Sequence, residues 1–313
     1  MLPDLTVDCG SVFPATTIHD MLADLAGDAR VLVGDRVPAG HHQLHEILGS
    51  IGRHLRPSRA GVPVHAGLCT LEGTGVLAVG ATGSGKSTLI TLLGRRGATF
   101  VSDDTVWVHG RTGEGFGAPL SIRRTSPFHA EARALPYADD GDRLIVRPAD
   151  LGVLNRVESA TIDLLVFPTY SVGAASCEAI PPAAAFCRLV AAALRPCSTA
   201  DYSTMATLAT DCAAATITYP DSDESLAMLE RARRLSPPAG VQAVAIDRGS
   251  LYEMGFGANA AAMRFGDEVA VWSAATGQIV HIDGVPANGD LEGTPAFEQL
   301  RSLGFVTRRQ DRM

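Results

Sequence analysis

The chain has 313 residues, carries a formal net charge of −8, and draws 46% of its residues from the hydrophobic types. This length is enough for about two domains with packed cores. The acidic balance argues against nucleic acid and against an anionic membrane surface as partners, because both need a basic face.

The start of the chain and the cysteines indicate the compartment in which the protein works. The first residues lack the basic start and the apolar run of a secretion signal. The most apolar stretch, 181–194, is interrupted by Arg188 and is too short to span a bilayer. The cysteines form no C-x-x-C pair and have no histidines at zinc spacing, which favours small buried residues in a reducing compartment. They are Cys9, Cys69, Cys177, Cys187, Cys197 and Cys212. Together these features predict a cytoplasmic protein.

Residues 1–60 are predicted to form a small segment of mixed α and β structure. Strands are expected near Val7 and at 30–33, and helices at 19–25 and 41–55. His41, His42 and His45 lie on the second helix. No acidic or cysteine partner follows them at ligand spacing, so the pattern favours a solvated helix face over a metal site.

The most informative stretch runs from Val62 to Asp104. Two apolar segments, 62–71 and 76–79, are joined by a Gly-containing turn and predict a β-hairpin. The second strand leads into Gly80-Ala81-Thr82-Gly83-Ser84-Gly85-Lys86-Ser87, which has the pattern G-x-x-x-x-G-K-[ST]. A helix is predicted next, and then a short strand that ends at Asp103 and Asp104.

This motif predicts a nucleotide-binding loop. The glycines allow the backbone N–H groups to converge on a phosphate, and the following helix presents its N-terminus to the same anion. Lys86 is placed to reach the outer phosphates, and the hydroxyl of Ser87 to ligate Mg²⁺. The predicted cofactor-binding residues are Gly80, Ala81, Thr82, Gly83, Ser84, Gly85, Lys86, Ser87 and Thr88. The predicted cofactors are ATP and Mg²⁺.

The rest of the chain alternates strands and helices. Residues 125–150 contain several prolines and mixed charges, which predicts an irregular excursion that covers a substrate. A strand is expected at 161–167, ending at Pro168; helices are expected at 182–194, 204–213 and 222–235, and a strand at 215–219. Residues 236–240 read as a linker. The tail is predicted to contain strands at 241–246, 268–272 and 279–282 and a helix at 295–303. The predicted domains are 1–60, 61–236 and 237–313.

Proteins with this nucleotide-binding loop usually carry a further acidic residue at the end of another strand, and its position distinguishes among their classes. The usual distant strand that ends in aspartate is absent, because Pro168 follows the best candidate strand. The nearest acidic pair is Asp103 and Asp104. Adjacent carboxylates can divide two roles, one holding Mg²⁺ and the other accepting a proton from an attacking hydroxyl.

This order of motifs resembles the catalytic domain of HPr kinase/phosphorylase and its shortened relatives. The similar segments are His65-Ala66-Gly67, Gly75-Val76-Leu77 leading into the loop, Arg96-Gly97, and Val101-Ser102-Asp103-Asp104. The resemblance spans about 61–109 and continues more weakly to about 235. It implies an α/β P-loop kinase core, akin to that of phosphoenolpyruvate carboxykinase, with small α+β segments at both ends. It also implies assembly as a homo-oligomer.

The resemblance assigns roles to individual residues. Lys86 and the loop amides would hold the phosphates, and Ser87 and Asp103 would hold Mg²⁺. Asp104 would be the general base and His65 would lie near the reacting phosphoryl group. An Asp pair forced together is expected to raise one pKa toward neutrality.

One segment departs from the family pattern. The family's Glu-Ile-Arg-Gly is represented by Ser121-Ile122-Arg123-Arg124, which keeps an arginine but lacks the glutamate. Arg123 is therefore a further catalytic candidate, whereas the phosphorylase activity and HPr as substrate do not carry over.

Three functions remain open from the sequence. The first is a kinase for a Ser/Thr hydroxyl on a protein or peptide, with Arg123, Arg124 and the excursion binding that substrate. The second is a kinase for a small hydroxylated metabolite, which an enclosed pocket lined by arginine would favour. The third is a nucleotide-binding switch without transfer. The tail is weakly similar to small winged domains that hold leader peptides, and is alternatively a stabilising α+β cap.

Overall fold

The structure is a computed structural model. It describes residues 5–8, 31–34, 61–115, 119–135, 138–139, 141–171, 173–220, 222–247, 250–251, 256, 260–273, 278–283 and 295–306. The predicted helices at 19–25 and 41–55, with His41, His42 and His45, lie outside the described residues.

The helices and strands follow in this order. Before the main body lie two parallel strands, β1 (Leu5–Asp8) and β2 (Val31–Gly34). The main body contains β3 (Val62–Leu71), β4 (Thr74–Val79), α1 (Lys86–Arg95), β5 (Thr99–Ser102), β6 (Thr105–His109), β7 (Thr112–Glu114), β8 (Leu120–Arg123), α2 (His129–Ala132), β9 (Ala138–Asp139), β10 (Arg143–Val146), a 3-10 turn (Pro148–Leu151), β11 (Ser159–Thr161), β12 (Leu164–Tyr170), β13 (Ser176–Ala179), α3 (Pro182–Ala191), α4 (Thr199–Asp211), β14 (Ala213–Tyr219) and α5 (Ser222–Arg233). The tail contains β15 (Ala243–Ile246), β16 (Ala260–Phe265), β17 (Glu268–Ser273), β18 (Ile279–Ile282) and α6 (Pro295–Ser302).

A mixed sheet of nine described strands forms the centre of the main body. Its order is β11-β7-β6-β3-β4-β12-β14-β13, with β5 paired to β3. The three strands β4, β12 and β14 run parallel to one another, whereas β3 and β4 form the antiparallel hairpin that the sequence predicts. Because the carboxyl ends of the parallel strands meet at one edge, the loop after β4 lies beside the ends of β12 and β14.

Both faces of this sheet are covered. On one face α1 and α5 pack against alternate residues of β4, β12 and β14. On the other face α3 and α4 pack against the intervening residues, such as Leu77 and Leu165. Burial on two faces explains why β4 and β12 are apolar at successive positions rather than alternating. The loop is therefore attached to a rigid, doubly covered layer.

The tail forms a four-stranded antiparallel sheet in the order β15-β16-β17-β18. One face, with Phe265 and Trp272, joins the core formed with α3 and α4, where the Phe186 ring lies 5.3 Å from that of Phe265. The other face packs with α6 around Val271 and Leu300. The strand β16 was missed by the sequence prediction, because its Ala-rich segment has weak β propensity and is held by pairing on both sides.

The sequence predicted that the strand ends at Pro168, but the structure continues it past this residue. The predicted strand 161–167 is divided into β11 and β12, and β12 runs on to Tyr170. The pairing of β12 with β4 stops at Val166, so beyond that point β12 is an edge on its β4 side. An edge position tolerates a residue without an N–H donor.

Two helices also differ from their predicted limits. Helix α3 stops at Ala191 because the following residues bond alongside β3: the N–H of Leu194 donates to the carbonyl of Pro63 at 2.9 Å. Helix α4 starts at Thr199, not at 204, because Ser198 and Asp201 form a reciprocal capping box.

The segment 125–150 is not the irregular excursion that the sequence predicted. It contains α2, the 3-10 turn and two strands, β9 and β10, which form a three-stranded sheet with β8. Among the described cysteines none is in a disulfide. Cys69, Cys187 and Cys212 are buried as expected, whereas Cys177 and Cys197 are only half-buried. Within the part of the chain that the structure describes, no helix is long and apolar enough to cross a membrane.

Candidate functional site

The loop between β4 and α1 depends on glycine for its shape. Gly83 and Gly85 have φ angles of +89° and +104°, a region that favours glycine. A Cβ atom on Gly85 would come within 2.9 Å of both Tyr170 and the hydroxyl oxygen of Tyr219. That hydroxyl donates a hydrogen bond of 2.8 Å to the carbonyl of Gly85. The start of α1 is thus fixed by residues from the ends of β12 and β14.

Lys86 is the only lysine in the sequence, and its side chain folds back into the loop. Its Nζ donates to the carbonyls of Gly80 at 2.8 Å and Ala81 at 3.1 Å, and lies 3.1 Å from Nε2 of His65. Burial lowers the pKa of Lys86, and the nearby carboxylates partly offset this effect. A single, almost fully buried ammonium group is therefore held at the mouth of the loop.

His65 links this lysine to Asp104. Nδ1 of His65 lies 3.1 Å from the backbone oxygen of Asp104 and 3.3 Å from its Oδ1. The hydroxyl of Thr105 donates to Oδ2 at 3.1 Å. Burial by itself would raise the pKa of Asp104, but the hydrogen bond and charge of His65 hold it below its usual value. Asp104, with 56% of its side chain exposed, is thus an ionised carboxylate at neutral pH.

Asp103 has the opposite environment. It is 3% exposed, and its Oδ1 is buried without a hydrogen-bond partner in the described part of the chain. Burial raises the pKa of Asp103 to about 7, although a hydrogen bond from Ser87 lowers it. The sequence analysis expected the closeness of the two carboxylates to raise the pKa of one of them. The raised pKa belongs to Asp103, and its main cause is burial, with the charge of Asp104 a smaller contribution.

This buried carboxylate provides a test of whether a cation fits. An unpaired carboxylate oxygen beside the Ser87 hydroxyl is an all-oxygen donor set, which is the set that Mg²⁺ prefers. Leaving such an oxygen unpaired in the interior is costly. The residues present therefore fit a hard divalent cation.

The two neighbouring arginines are in different places. Nη1 of Arg123 lies 3.8 Å from the position of a Cβ on Gly83, so its guanidinium lies next to the loop. Its charge lowers the pKa of Lys86. Arg124 donates twice to the carbonyl of Gly141, at 2.8 and 3.1 Å. The structure thus brings Arg123 to the site and holds Arg124 on the adjoining turn.

A cavity of about 780 Å³ opens beside Asp104 and the first half of the loop. Its lining comes from β3, the loop, the end of β12, the end of α3 and β14: His65, Val79, Gly80, Ala81, Thr82, Asp104, Thr105, Phe167, Pro168, Thr169, Arg188, Ala191, Ala192, Ala193, Leu194 and Thr216. We call it the Asp104 cavity. Apart from His65, Asp104 and Arg188, the lining is uncharged, so the cavity combines an apolar wall with a few polar groups.

Arg188 is the functional candidate that the sequence prediction missed. Its Nη1 donates to the hydroxyl of Thr216 at 2.8 Å, and its guanidinium carbon lies 5.0 Å from the centre of the Phe167 ring. No carboxylate in the described residues pairs with it. The signal was visible as a charge within an Ala-rich apolar helix, but the sequence does not show which strand that helix would face.

A second cavity, of about 500 Å³, lies on the other side of the loop. It is lined by Thr88, Leu92, Arg95, Arg96, Pro127, Phe128, Tyr170 and Pro220. We call it the Thr88 cavity. The guanidinium of Arg95 lies 5.5 Å from the centre of the Phe128 ring. The loop therefore separates two cavities, one at each end of the motif.

No protein-family model and no curated protein sequence matches this chain. Among solved structures, the chain is similar to the Hpr(Ser) kinase/phosphatase from Coxiella burnetii. The similarity has 16% sequence identity and a TM-score of 0.29, and it covers 55% of this chain and 90% of that chain.

The predicted site residues lie close together. The loop residues 80–85 with Lys86, Ser87 and Thr88 form the turn from β4 into α1. His65, Lys86 and Asp104 form one hydrogen-bonded series on the side of the Asp104 cavity. Asp103 faces Ser87 on the inner side. Their chemical roles remain predictions.

Proposed function

We propose that this protein is a phosphotransferase that uses ATP and Mg²⁺ to phosphorylate a hydroxyl group. The observation that carries the proposal is the division of the acidic pair at the end of the loop. Asp103 is buried next to Ser87 with its Oδ1 unpaired in the described residues, whereas Asp104 is ionised and open to a cavity. These are the two environments that cation binding and proton acceptance require.

The nucleotide would bind along the loop. Its phosphates would lie against the loop amides and the N-terminus of α1, where Lys86 would exchange its carbonyl partners for phosphate oxygens. The nucleoside would occupy the Thr88 cavity, with the rings of Phe128 and Tyr170 as apolar contacts. Ser87 and Asp103 would hold Mg²⁺, which neutralises charge on the phosphate oxygens.

Proton transfer is assigned to Asp104. The acceptor hydroxyl would give its proton to this carboxylate while its oxygen forms a bond to the γ-phosphorus. The bond between that phosphorus and the β–γ bridging oxygen breaks, and ADP leaves. His65 orients Asp104, and the charges of Lys86 and Arg123 are near enough to stabilise the transferring group.

The Asp104 cavity is the proposed place of the acceptor. A volume of about 780 Å³ is in the range of small-molecule sites. Arg188 offers a fixed guanidinium without an acidic partner, which suits a carboxylate or phosphate on the acceptor. These features favour a small hydroxylated compound with an anionic group.

A second acceptor class is a Ser/Thr hydroxyl on a peptide or protein. It is supported by the exposure of Asp104, at 56% of its side chain, which leaves the carboxylate open to a hydroxyl from outside. A peptide residue with a neighbouring acidic group would make the same contact with Arg188.

The test is Mg²⁺-dependent ATP consumption by the purified protein, alone and with fractions of small metabolites or peptides. Products are identified by mass spectrometry. We expect one added phosphoryl group on a small anionic compound. The same addition on a peptide would select the second class. ATP binding with no transfer to either fraction would contradict the proposal and indicate a nucleotide-binding switch.

A further inference from the structure

A cluster of three metal-binding side chains lies in the tail sheet, away from the loop. Glu268 begins β17, His281 lies in β18, and Asp283 follows β18 directly. The register pairs Val269 with Ile282 and Ala270 with His281. Continued by one residue, it sets Glu268 opposite Asp283, with His281 as the diagonal neighbour. Because side chains alternate along a strand, all three lie on the same face of the sheet.

The distances within this cluster suit a single tetrahedral ion. Nε2 of His281 lies 3.1 Å from Oδ1 of Asp283 and 3.7 Å from Oε1 of Glu268. The three ligand atoms all lie within 4.8 Å of one another. A tetrahedral Zn²⁺ with bonds of about 2.0–2.2 Å holds its ligand atoms roughly 3.4 Å apart. The ion could therefore be bound with small side-chain adjustments and no change in strand register.

Nε2 of His281 faces the two carboxylates of the cluster. That atom is buried and makes no hydrogen bond in the described residues, although the Asp283 carboxylate is only 3.1 Å away. The side chains of Glu268 and His281 are 13% and 22% exposed. A buried imidazole nitrogen that faces two carboxylates without a hydrogen bond to either is the arrangement that a shared metal ion would complete.

The backbone also orients one of the carboxylates. Oε2 of Glu268 accepts a hydrogen bond of 3.2 Å from the N–H of Ala183 in the first turn of α3. This contact leaves Oε1 directed toward His281 and supplies the outer-shell support that metal ligands commonly have. It also joins the cluster to the helix whose later residues include Arg188.

We propose that Glu268, His281 and Asp283 form a binding site for one divalent transition-metal ion, best matched by Zn²⁺. Three protein ligands leave the fourth position to water. The imidazole ligand selects against Mg²⁺ and Ca²⁺, which prefer oxygen. The ion fastens β17 and β18 beside the start of α3. The site does not depend on the proposed phosphotransferase activity.

The test is calorimetric titration of the metal-stripped full chain with Zn²⁺, with Co²⁺ absorption as a report on ligand type. We expect one Zn²⁺ per chain at this cluster and a higher melting temperature when it binds. His281→Ala should weaken the affinity by at least about 100-fold, since even outer-shell changes cost 10- to 100-fold. The control is His109→Ala, which removes an exposed histidine on β6.

A second variant protects the test against a folding defect. The side chain of Asp283 is 75% exposed, so Asp283→Asn should fold normally and still lose affinity. Absence of Zn²⁺ binding in the unaltered chain would overturn the proposal. It would also be overturned if Asp283→Asn and His281→Ala bound Zn²⁺ with the same affinity as the unaltered chain. Loss of binding in Asp103→Asn alone would place the ion at the loop and overturn it equally.

Discussion

The two sides of the Asp104 carboxylate are built in different ways. The phosphate-binding part of the proposed nucleotide side comes from one continuous stretch, 80–105, whereas its nucleoside contacts, Phe128 and Tyr170, come from later in the chain. The proposed acceptor side is assembled mainly from the end of β12, the later half of α3 and the middle of β14. The first has its geometry set by local turns and a buried lysine, and the second by how helices pack on a sheet. Changes on the nucleotide side should therefore stop transfer to every acceptor, whereas changes on the acceptor side should alter which acceptor binds.

The largest expected effect tests the shared carboxylate. Asp104→Asn removes the proposed proton acceptor but keeps the shape of the side chain, so turnover should fall by about 10²–10⁴-fold while ATP still binds. Single-turnover kinetics and a separate ATP-binding measurement would distinguish loss of phosphoryl transfer from loss of ATP binding. The control is Asp142→Asn, which alters an exposed aspartate paired with Arg143. Unchanged turnover in Asp104→Asn would show that another group accepts the proton.

A smaller and more selective effect is expected at Arg188. Arg188→Ala removes a charge-assisted contact worth about 1.5–3 kcal/mol, so the KM for an anionic acceptor should rise about 10- to 100-fold. Arg188→Lys should recover little, because the planar contact with the Phe167 ring is lost. Steady-state kinetics with varied acceptor and with varied ATP would measure the KM for each substrate in both variants.

Arg124→Ala provides the comparison for that experiment. Its guanidinium is held by the carbonyl of Gly141, so the KM for the acceptor should not change. A larger effect at Arg124 than at Arg188 would mean that the segment 125–150 binds the acceptor, as the sequence predicted.

The sequence was informative where the structure is local. The loop, the acidic pair and the hairpin before them were predicted because their residues are neighbours in the chain. The same local reading was wrong at Pro168, where pairing with β14 continues the strand. It also missed Arg188, because only the packing of α3 on the sheet places this residue opposite Thr216.

The smallest expected effect concerns the support behind the acceptor side. Arg195 donates to both carboxylate oxygens of Asp201, at 2.6 and 3.0 Å, and also to the carbonyl of Gly61 at 3.1 Å. Asp201 in turn caps α4. Asp201→Asn should lower the free energy of unfolding by about 1 kcal/mol at neutral pH. Acceptor kinetics should change less than in Arg188→Ala.

The pH dependence of that loss follows from the pKa of Asp201. Burial would raise this pKa, but the hydrogen bonds from Arg195 and Ser198 bring it below its usual value. A depressed folded pKa stabilises the fold above the unfolded pKa of about 3.9, and the gain disappears as pH falls through the folded value. Urea unfolding should therefore show the largest difference between the two proteins at neutral pH and convergence in acid. A difference that grows in acid would contradict this.

Because the chain has a single lysine, proteolytic cleavage after that residue can measure how often the loop opens. A protease that cuts only after lysine has one bond to cleave, between Lys86 and Ser87. Because Lys86 is 5% exposed, that bond becomes a substrate only when the start of α1 opens. When opening and closing are fast, the cleavage rate reports the free energy of this local opening. A nucleotide bound to the closed loop should slow cleavage by the factor 1 + [L]/Kd, so two fragments on a gel would measure ligand affinity without any catalytic turnover.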